Sequence, residues 1–138
     1  NSKWTKTQPP EEEWLRAVWV VDDSEIYLGG RSGWAWRWDG DTRWVELKVE
    51  QKFEWGTIFT DFAWYGSFLY AAAADEGIYR LEGDVFVPVA GIGDAYVSKL
   101  SVTKSGLIGL GNVWGEFGSW LTHFDGESWS ARQINVKL

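Results

Sequence analysis

The chain has no cysteine and no methionine, and it has one histidine, His123, among 138 residues. Without cysteine, disulfides, thiolate nucleophiles and cysteine-based zinc or iron–sulfur sites are excluded. A single histidine also excludes any site that needs two imidazoles. No apolar run reaches the roughly 18 to 20 residues of a membrane-spanning helix, because Gly, Asp or Arg interrupts each candidate.

The beginning of the sequence also lacks two familiar features. There is no methionine at position 1 and no recognisable signal peptide around Asn1. We therefore expect a processed mature chain, a trimmed chain or a piece of a longer protein. The cellular compartment stays open.

Positive charge is scarce, with 13 Lys and Arg against 20 Asp and Glu and a net charge of −7. A surface of this sign repels the phosphate backbone, so we expect no nucleic-acid partner. The sequence contains no phosphate-binding loop, dinucleotide fingerprint or nucleophile elbow, and we expect no cofactor. Aromatic residues are abundant, with 12 Trp, 7 Phe and 5 Tyr, which predicts a core dominated by aromatic packing.

An internal repeat of 43 residues runs through the sequence. Its marker is a large apolar residue, an acid and a glycine, with an aromatic residue three or four positions later. A cation or histidine precedes each marker. The markers are Trp38-Asp39-Gly40, Leu81-Glu82-Gly83 and Phe124-Asp125-Gly126; Trp44, Phe86 and Trp129 follow them, and Arg37, Arg80 and His123 precede them. We expect these three basic positions to lie at a surface and pair with acids.

Within each repeat the apolar period is two residues, as in β-strands. In the first repeat it predicts strands over 18–21, 25–29, 34–38 and 44–49. Asp-Gly between the third and fourth strands is a hairpin signal, because glycine accepts the positive φ of such turns. The run Asp22-Asp23-Ser24-Glu25 fits a hairpin turn better than a calcium loop, so we expect no metal site.

Four short antiparallel strands every 43 residues, with aromatic and glycine punctuation, resemble the blades of β-propeller repeat proteins, kelch-like and related bacterial propellers among them. The resemblance covers about residues 14–138. It implies an all-β fold of three four-stranded antiparallel blades in a single repeat domain, 1–138. The implied blades are 14–50, 51–91 and 92–138, and 1–13 form a lone outer strand and linker.

Three blades are too few for closure, since propellers have about four to eight. We expect two copies of the chain to close a six-bladed homodimer, with each exposed blade face covered by the partner. The alternative is that the chain is a piece of a longer propeller.

The resemblance implies a ligand site where the turns between second and third strands meet the connections between blades. The loop around Trp114 departs most from its sister repeats, which makes it the leading candidate. Its aromatic rings, carboxylates and amides suit a sugar, although Trp114 and Phe117 alternatively pack over the channel mouth or a subunit boundary. The candidates are Arg31, Trp34, Trp55, Asp75, Glu76, Asp94, Tyr96, Asn112, Trp114, Glu116 and Phe117.

These observations favour a non-enzymatic binding module for a small polar ligand such as a carbohydrate. The first alternative is a structural or protein–protein interaction scaffold with a packed channel. The second is a carboxylate-based glycosidase or lyase, in which two of Asp75, Glu76, Asp94 and Glu116 would face each other across a cleft. Propellers host all three classes, so the fold alone does not choose among them.

Overall fold

The computed structural model describes residues 15–50, 57–74, 77–89, 95–113 and 118–134. Every regular element in these ranges is a β-strand, apart from the short 3-10 turn Arg31–Gly33. The fold is therefore all-β, as the period of two residues predicts. Across the described ranges, no helix has the length and apolarity that a membrane span requires.

The first four strands form an antiparallel meander, in which each strand pairs with the next along the chain. They begin and end close to the predicted bounds, because alternating apolar residues give each strand one face for a core. The strands are β1 Leu15–Asp22, β2 Glu25–Gly30, β3 Ala35–Trp38 and β4 Trp44–Val49.

Two further antiparallel meanders follow with the same order of pairing. The second consists of β5 Phe59–Tyr65, β6 Phe68–Ala73, β7 Gly77–Glu82 and β8 Val85–Pro88. The third consists of β9 Ala95–Thr103, β10 Gly106–Val113, β11 Ser119–Phe124 and β12 Trp129–Ile134.

The first two meanders are joined in one eight-stranded sheet, which the sequence did not predict. Their last strands, β4 and β8, pair in parallel, with Lys48 opposite Val85. The Lys48 N–H donates to the Asp84 carbonyl at 2.9 Å and the Glu50 N–H donates to the Phe86 carbonyl at 2.9 Å. The unpaired backbone groups of two edge strands bond to each other here. The sequence did not predict this pairing, because the alternation of side chains shows only which faces of a sheet are apolar.

The eight-stranded sheet curls until β1 lies against β5, so that it is nearly closed and barrel-like. Its interior is a single apolar cluster, to which the first meander contributes Ala17, Tyr27, Ala35 and Leu47 and the second contributes most of the aromatic rings. The Phe86 ring lies 5.0 Å from Phe59 and stacks on Phe62, with ring centroids 6.0 Å apart. The predicted dominance of aromatic packing is thus confirmed in this core.

The third meander is a separate four-stranded sheet that packs through β9 on β5, β6 and β7. A second apolar cluster fills this junction, where Phe124 meets Tyr70 edge-on at 5.7 Å and stacks on Trp129 at 4.6 Å. The second meander is therefore covered on both faces. As a result Ala71, Ala72 and Ala73 are all completely buried.

Candidate functional site

One end of the strands brings together the turn between β2 and β3, the beginning of β5 and the beginning of β9. The Gly33 N–H donates to the Thr57 carbonyl, which joins the β2–β3 turn to the segment before β5. The Thr60 hydroxyl donates to the Val97 carbonyl at 3.4 Å, which joins β5 to β9. We call this edge of the molecule the turn end.

The β2–β3 turn carries Arg31 and Trp34 at the turn end. Ser32 has a φ of 59°, a left-handed conformation that costs a non-glycine residue about 1 kcal/mol. The turn is held by two backbone bonds: the Gly30 N–H donates to the Trp34 carbonyl at 3.0 Å, and the Trp34 N–H donates to the Arg31 carbonyl at 3.1 Å. These two bonds hold Arg31 and Trp34 in the strained turn. Arg31 is exposed there and Trp34 is half-buried.

Trp34 presents part of its indole ring to solvent. The edge-to-face contact with Trp36, at 5.5 Å between ring centroids and 82° between planes, holds the orientation of the Trp34 ring. Trp36 itself is 2% exposed and acts as a rigid support. A half-exposed ring on a buried aromatic base is a suitable stacking surface for a flat apolar ligand face.

Tyr96 and Asn112 lie opposite each other on β9 and β10, at the same end. The Asn112 side-chain amide nitrogen donates to the Gly111 carbonyl at 3.0 Å and to the Gly118 carbonyl at 3.1 Å. It therefore ties the end of β10 to the residue before β11. The sequence predicted Asn112 as a ligand contact, and the structure adds this local structural role.

The described candidates Arg31, Trp34, Tyr96 and Asn112 all lie at the turn end. The remaining candidates fall outside the described residues: Trp55, Asp75, Glu76, Asp94, Trp114, Glu116 and Phe117. The four carboxylates of the glycosidase alternative are all among them. Within the described ranges no group of three His, Cys, Asp or Glu residues could hold a metal ion.

Three aspartates lie in turns at the opposite end of the strands. The Asp22 Oδ1 accepts bonds from the hydroxyl and N–H of Ser24, both at 2.7 Å, and these lower the pKa of Asp22. The N–H groups of the β3–β4 turn similarly lower the pKa of Asp39, and those of the β11–β12 turn lower the pKa of Asp125. These carboxylates stay ionised and shape hairpins, as expected for turn acids.

Two of the three repeated cations pair with acids. The Arg37 Nη2 lies 3.5 Å from Asp84 Oδ1, across the junction of the first two meanders. Arg80 pairs with Glu82 on its own strand and lies over the Phe68 ring at 4.8 Å. The third member, His123, approaches the Ser105 hydroxyl at 3.3 Å through Nε2.

A recess of about 380 Å³ on β10–β12 was not predicted as a site. Its apolar floor is Ile108 and Leu121, and His123, Ser130 and Arg132 provide polar groups around it. The sequence indicated only that His123, 43 residues after Arg80, occupies a repeated surface position. It could not predict the recess, because the recess depends on which face of the sheet stays uncovered.

No known family model matches the chain, and no curated protein is significantly similar to it. The functional argument therefore rests on the residues and their arrangement.

Proposed function

We propose that the protein is a non-enzymatic binding module that takes a small polar ligand, such as a carbohydrate, at the turn end. In this proposal the three meanders are propeller blades, and two copies of the chain form a six-bladed ring. The ligand would lie where the β2–β3 turns and the connections between blades surround the centre.

The observation that carries the proposal is the strained turn around Ser32, with its φ of 59°. Strained non-glycine residues cluster at binding sites, because surrounding contacts must hold them in place. Here the bond from Gly33 to the Thr57 carbonyl and the edge-to-face packing of Trp34 on Trp36 hold the turn.

The chemistry of the neighbouring side chains supports a sugar-like ligand. The C–H face of a pyranose would stack on Trp34, while hydroxyl groups would exchange hydrogen bonds with Arg31, Tyr96 and the Asn112 carbonyl oxygen. In the wider predicted site, Trp114 and Glu116 would add a second ring and a carboxylate.

The test is a glycan array, followed by calorimetry, on the wild type and on Trp34→Ala and Trp114→Ala. Loss of a buried stacking contact should weaken binding by about tenfold or more, equivalent to about 1.4 kcal/mol. The matched control is Trp64→Ala, at the opposite end of β5, where the indole Nε1 donates to the Gly66 carbonyl at 3.1 Å. This control should unfold more easily but keep ligand affinity.

Binding that survives both turn-end substitutions would contradict the site. A wild type that binds no glycan or other small polar molecule would favour the scaffold alternative. Hydrolysis or elimination of a bound glycan would instead favour the enzyme alternative and would direct attention to Asp75, Glu76, Asp94 and Glu116.

A further inference from the structure

Each meander has two faces, and in the first two meanders the equivalent face packs against the next meander along the chain. The face of the first meander that carries Tyr27 and Arg37 looks toward the second meander. The face of the second meander that carries Tyr70 and Arg80 looks toward the third. In each of these pairs the two residues are direct neighbours across strands, and each cation is 43 residues from its counterpart.

The same positions in the third meander are Ile108 and His123, which also lie opposite each other. No described strand packs against this side of β10–β12. We call it the leading face and define it by the residues that the strand register places on one side: Ile108, Leu110, Leu121, His123, Ser130 and Arg132. The 380 Å³ recess opens on the leading face, and Leu110 is 41% exposed there.

The reverse faces follow the same rule. Leu81 and Phe86 of the second meander are buried against the first, and Phe124 and Trp129 of the third pack against the second. Their counterparts in the first meander are Trp38 and Trp44, whose rings contact each other at 5.2 Å. No described strand packs against the side of the sheet that they occupy.

We call this second surface the trailing face; the strand register places on it Val18, Val20, Ile26, Leu28, Trp36, Trp38, Trp44 and Glu46, of which Trp36 is buried. Val18 is 57% exposed and Val20 is 58% exposed. Two adjacent valines this exposed, beside a pair of tryptophans, form the kind of apolar patch that marks a protein interface.

One ion pair crosses the junction between the first two meanders. In the first junction, Arg37 reaches Asp84 in the β7–β8 turn of the next meander. Asp41 lies in the β3–β4 turn, 43 residues before Asp84, and is therefore the counterpart of Asp84 in the first meander. His123 is the counterpart of Arg37 in the third meander, two repeats later. The Asp41 side chain is exposed, and only its N–H serves the turn, by donating to Asp39 Oδ1 at 2.8 Å.

We propose that the leading face of one copy binds the trailing face of a second copy, with His123 next to Asp41. The recess around Ile108 and Leu121 would receive apolar side chains of the trailing face. Two such contacts related by a twofold axis would bury both faces of both chains. This inference rests on the blade arrangement proposed above.

The first experiment measures mass in solution by light scattering coupled to size exclusion, over a roughly hundredfold range of concentration. The wild type should have twice the 15.7 kDa of the single chain. Val18→Asp should convert it to a monomer, because a carboxylate would be buried without a partner. Val102→Asp is the control. Val102 is 44% exposed, and its register partner Leu107 shows that it lies on the side of the sheet opposite the leading face.

The second experiment tests the charge pairing. His123→Glu and Asp41→Arg should each raise the dissociation constant of the dimer by about tenfold, and the double variant should recover most of the loss. Asp23→Arg, an exposed acid in the β1–β2 turn, is the matched control and should leave the constant unchanged.

A wild type that stays monomeric throughout would overturn the inference, and so would a mass that rises without limit, because the ring would not close. A dimer that tolerates both Val18→Asp and His123→Glu would show that other surfaces meet. Ligand binding is measured on the same samples, so a monomer that still binds glycan would overturn this contact and the six-bladed ring, while the ligand site at the turn end stands.

Discussion

At the scale of single residues, aspartates in two hairpin turns organise the chain through their carboxylates. The Asp39 Oδ1 accepts bonds from the N–H groups of Asp41, Thr42 and Arg43, at 2.8, 3.0 and 3.2 Å. The Asp125 Oδ1 accepts bonds from Glu127 and Ser128, at 2.9 and 2.8 Å. The sequence predicted turns at these markers. The structure confirms them and shows that each carboxylate accepts hydrogen bonds from the backbone N–H groups of its turn.

These two carboxylates make stability sensitive to acid. Because turn N–H groups hold the pKa of Asp39 and Asp125 below the ordinary value, both stabilise the fold above the unfolded pKa of about 3.9. That contribution is lost as pH falls through the lower folded pKa. We expect the double variant Asp39→Asn, Asp125→Asn to lose less stability than the wild type between about pH 4 and about pH 2.

Urea unfolding at about pH 7, 4 and 2.5 measures this difference. The asparagine oxygen can still accept the turn bonds, so the double variant should stay folded near neutral pH. Equal acid sensitivity in the two proteins would show that other groups control acid unfolding.

At the scale of elements, the same strand pattern has different packing according to its place in the chain. Residue 71 in β6 is a completely buried alanine, because the first meander covers that side of the sheet. Its counterpart 43 residues earlier, Leu28, is only half-buried on the trailing face. Small residues, Ala71 to Ala73, therefore occupy the centre of β6, where both sides of the sheet are covered.

This difference predicts the effect of enlarging the middle meander. Ala71→Leu would place three extra carbon atoms in a filled core and should lower the free energy of unfolding by about 1–3 kcal/mol. Leu28→Ala, at the equivalent position of the first meander, should cost less than the 2–5 kcal/mol typical of buried leucine. Urea unfolding of both variants measures the two costs, and a harmless Ala71→Leu would contradict the close packing.

At the scale of the whole molecule, the proposed dimer links stability to concentration. If the leading and trailing faces bind each other only in folded chains, mass action raises the melting temperature as the protein is concentrated. We expect this dependence in the wild type and in Val102→Asp. Val18→Asp should melt at one temperature at every concentration, at a value below that of the concentrated wild type.

Differential scanning calorimetry over a roughly hundredfold concentration range measures this effect. A melting temperature that does not change with concentration in the wild type would contradict the dimer. A dependence that persists in Val18→Asp would instead place the contact on another surface.

The strands and their turns could be predicted from local sequence signals. An apolar period of two residues places β3 and β4 almost residue for residue, and Asp39-Gly40 marks their connecting hairpin, because both signals are local. The propeller resemblance further implied that Arg31, Trp34, Tyr96 and Asn112 share one end of the strands.

The contacts between meanders could not be predicted in this way, because they join residues that are distant in sequence. Nothing local in β4 or β8 shows that their edges pair in parallel, because hydrogen-bonding edges are the same for every sequence. Nor could the sequence show that the surface around His123 keeps a recess while that around Arg37 is covered. The three basic positions share one sequence pattern, and whether another sheet packs over them is decided by contacts distant in sequence.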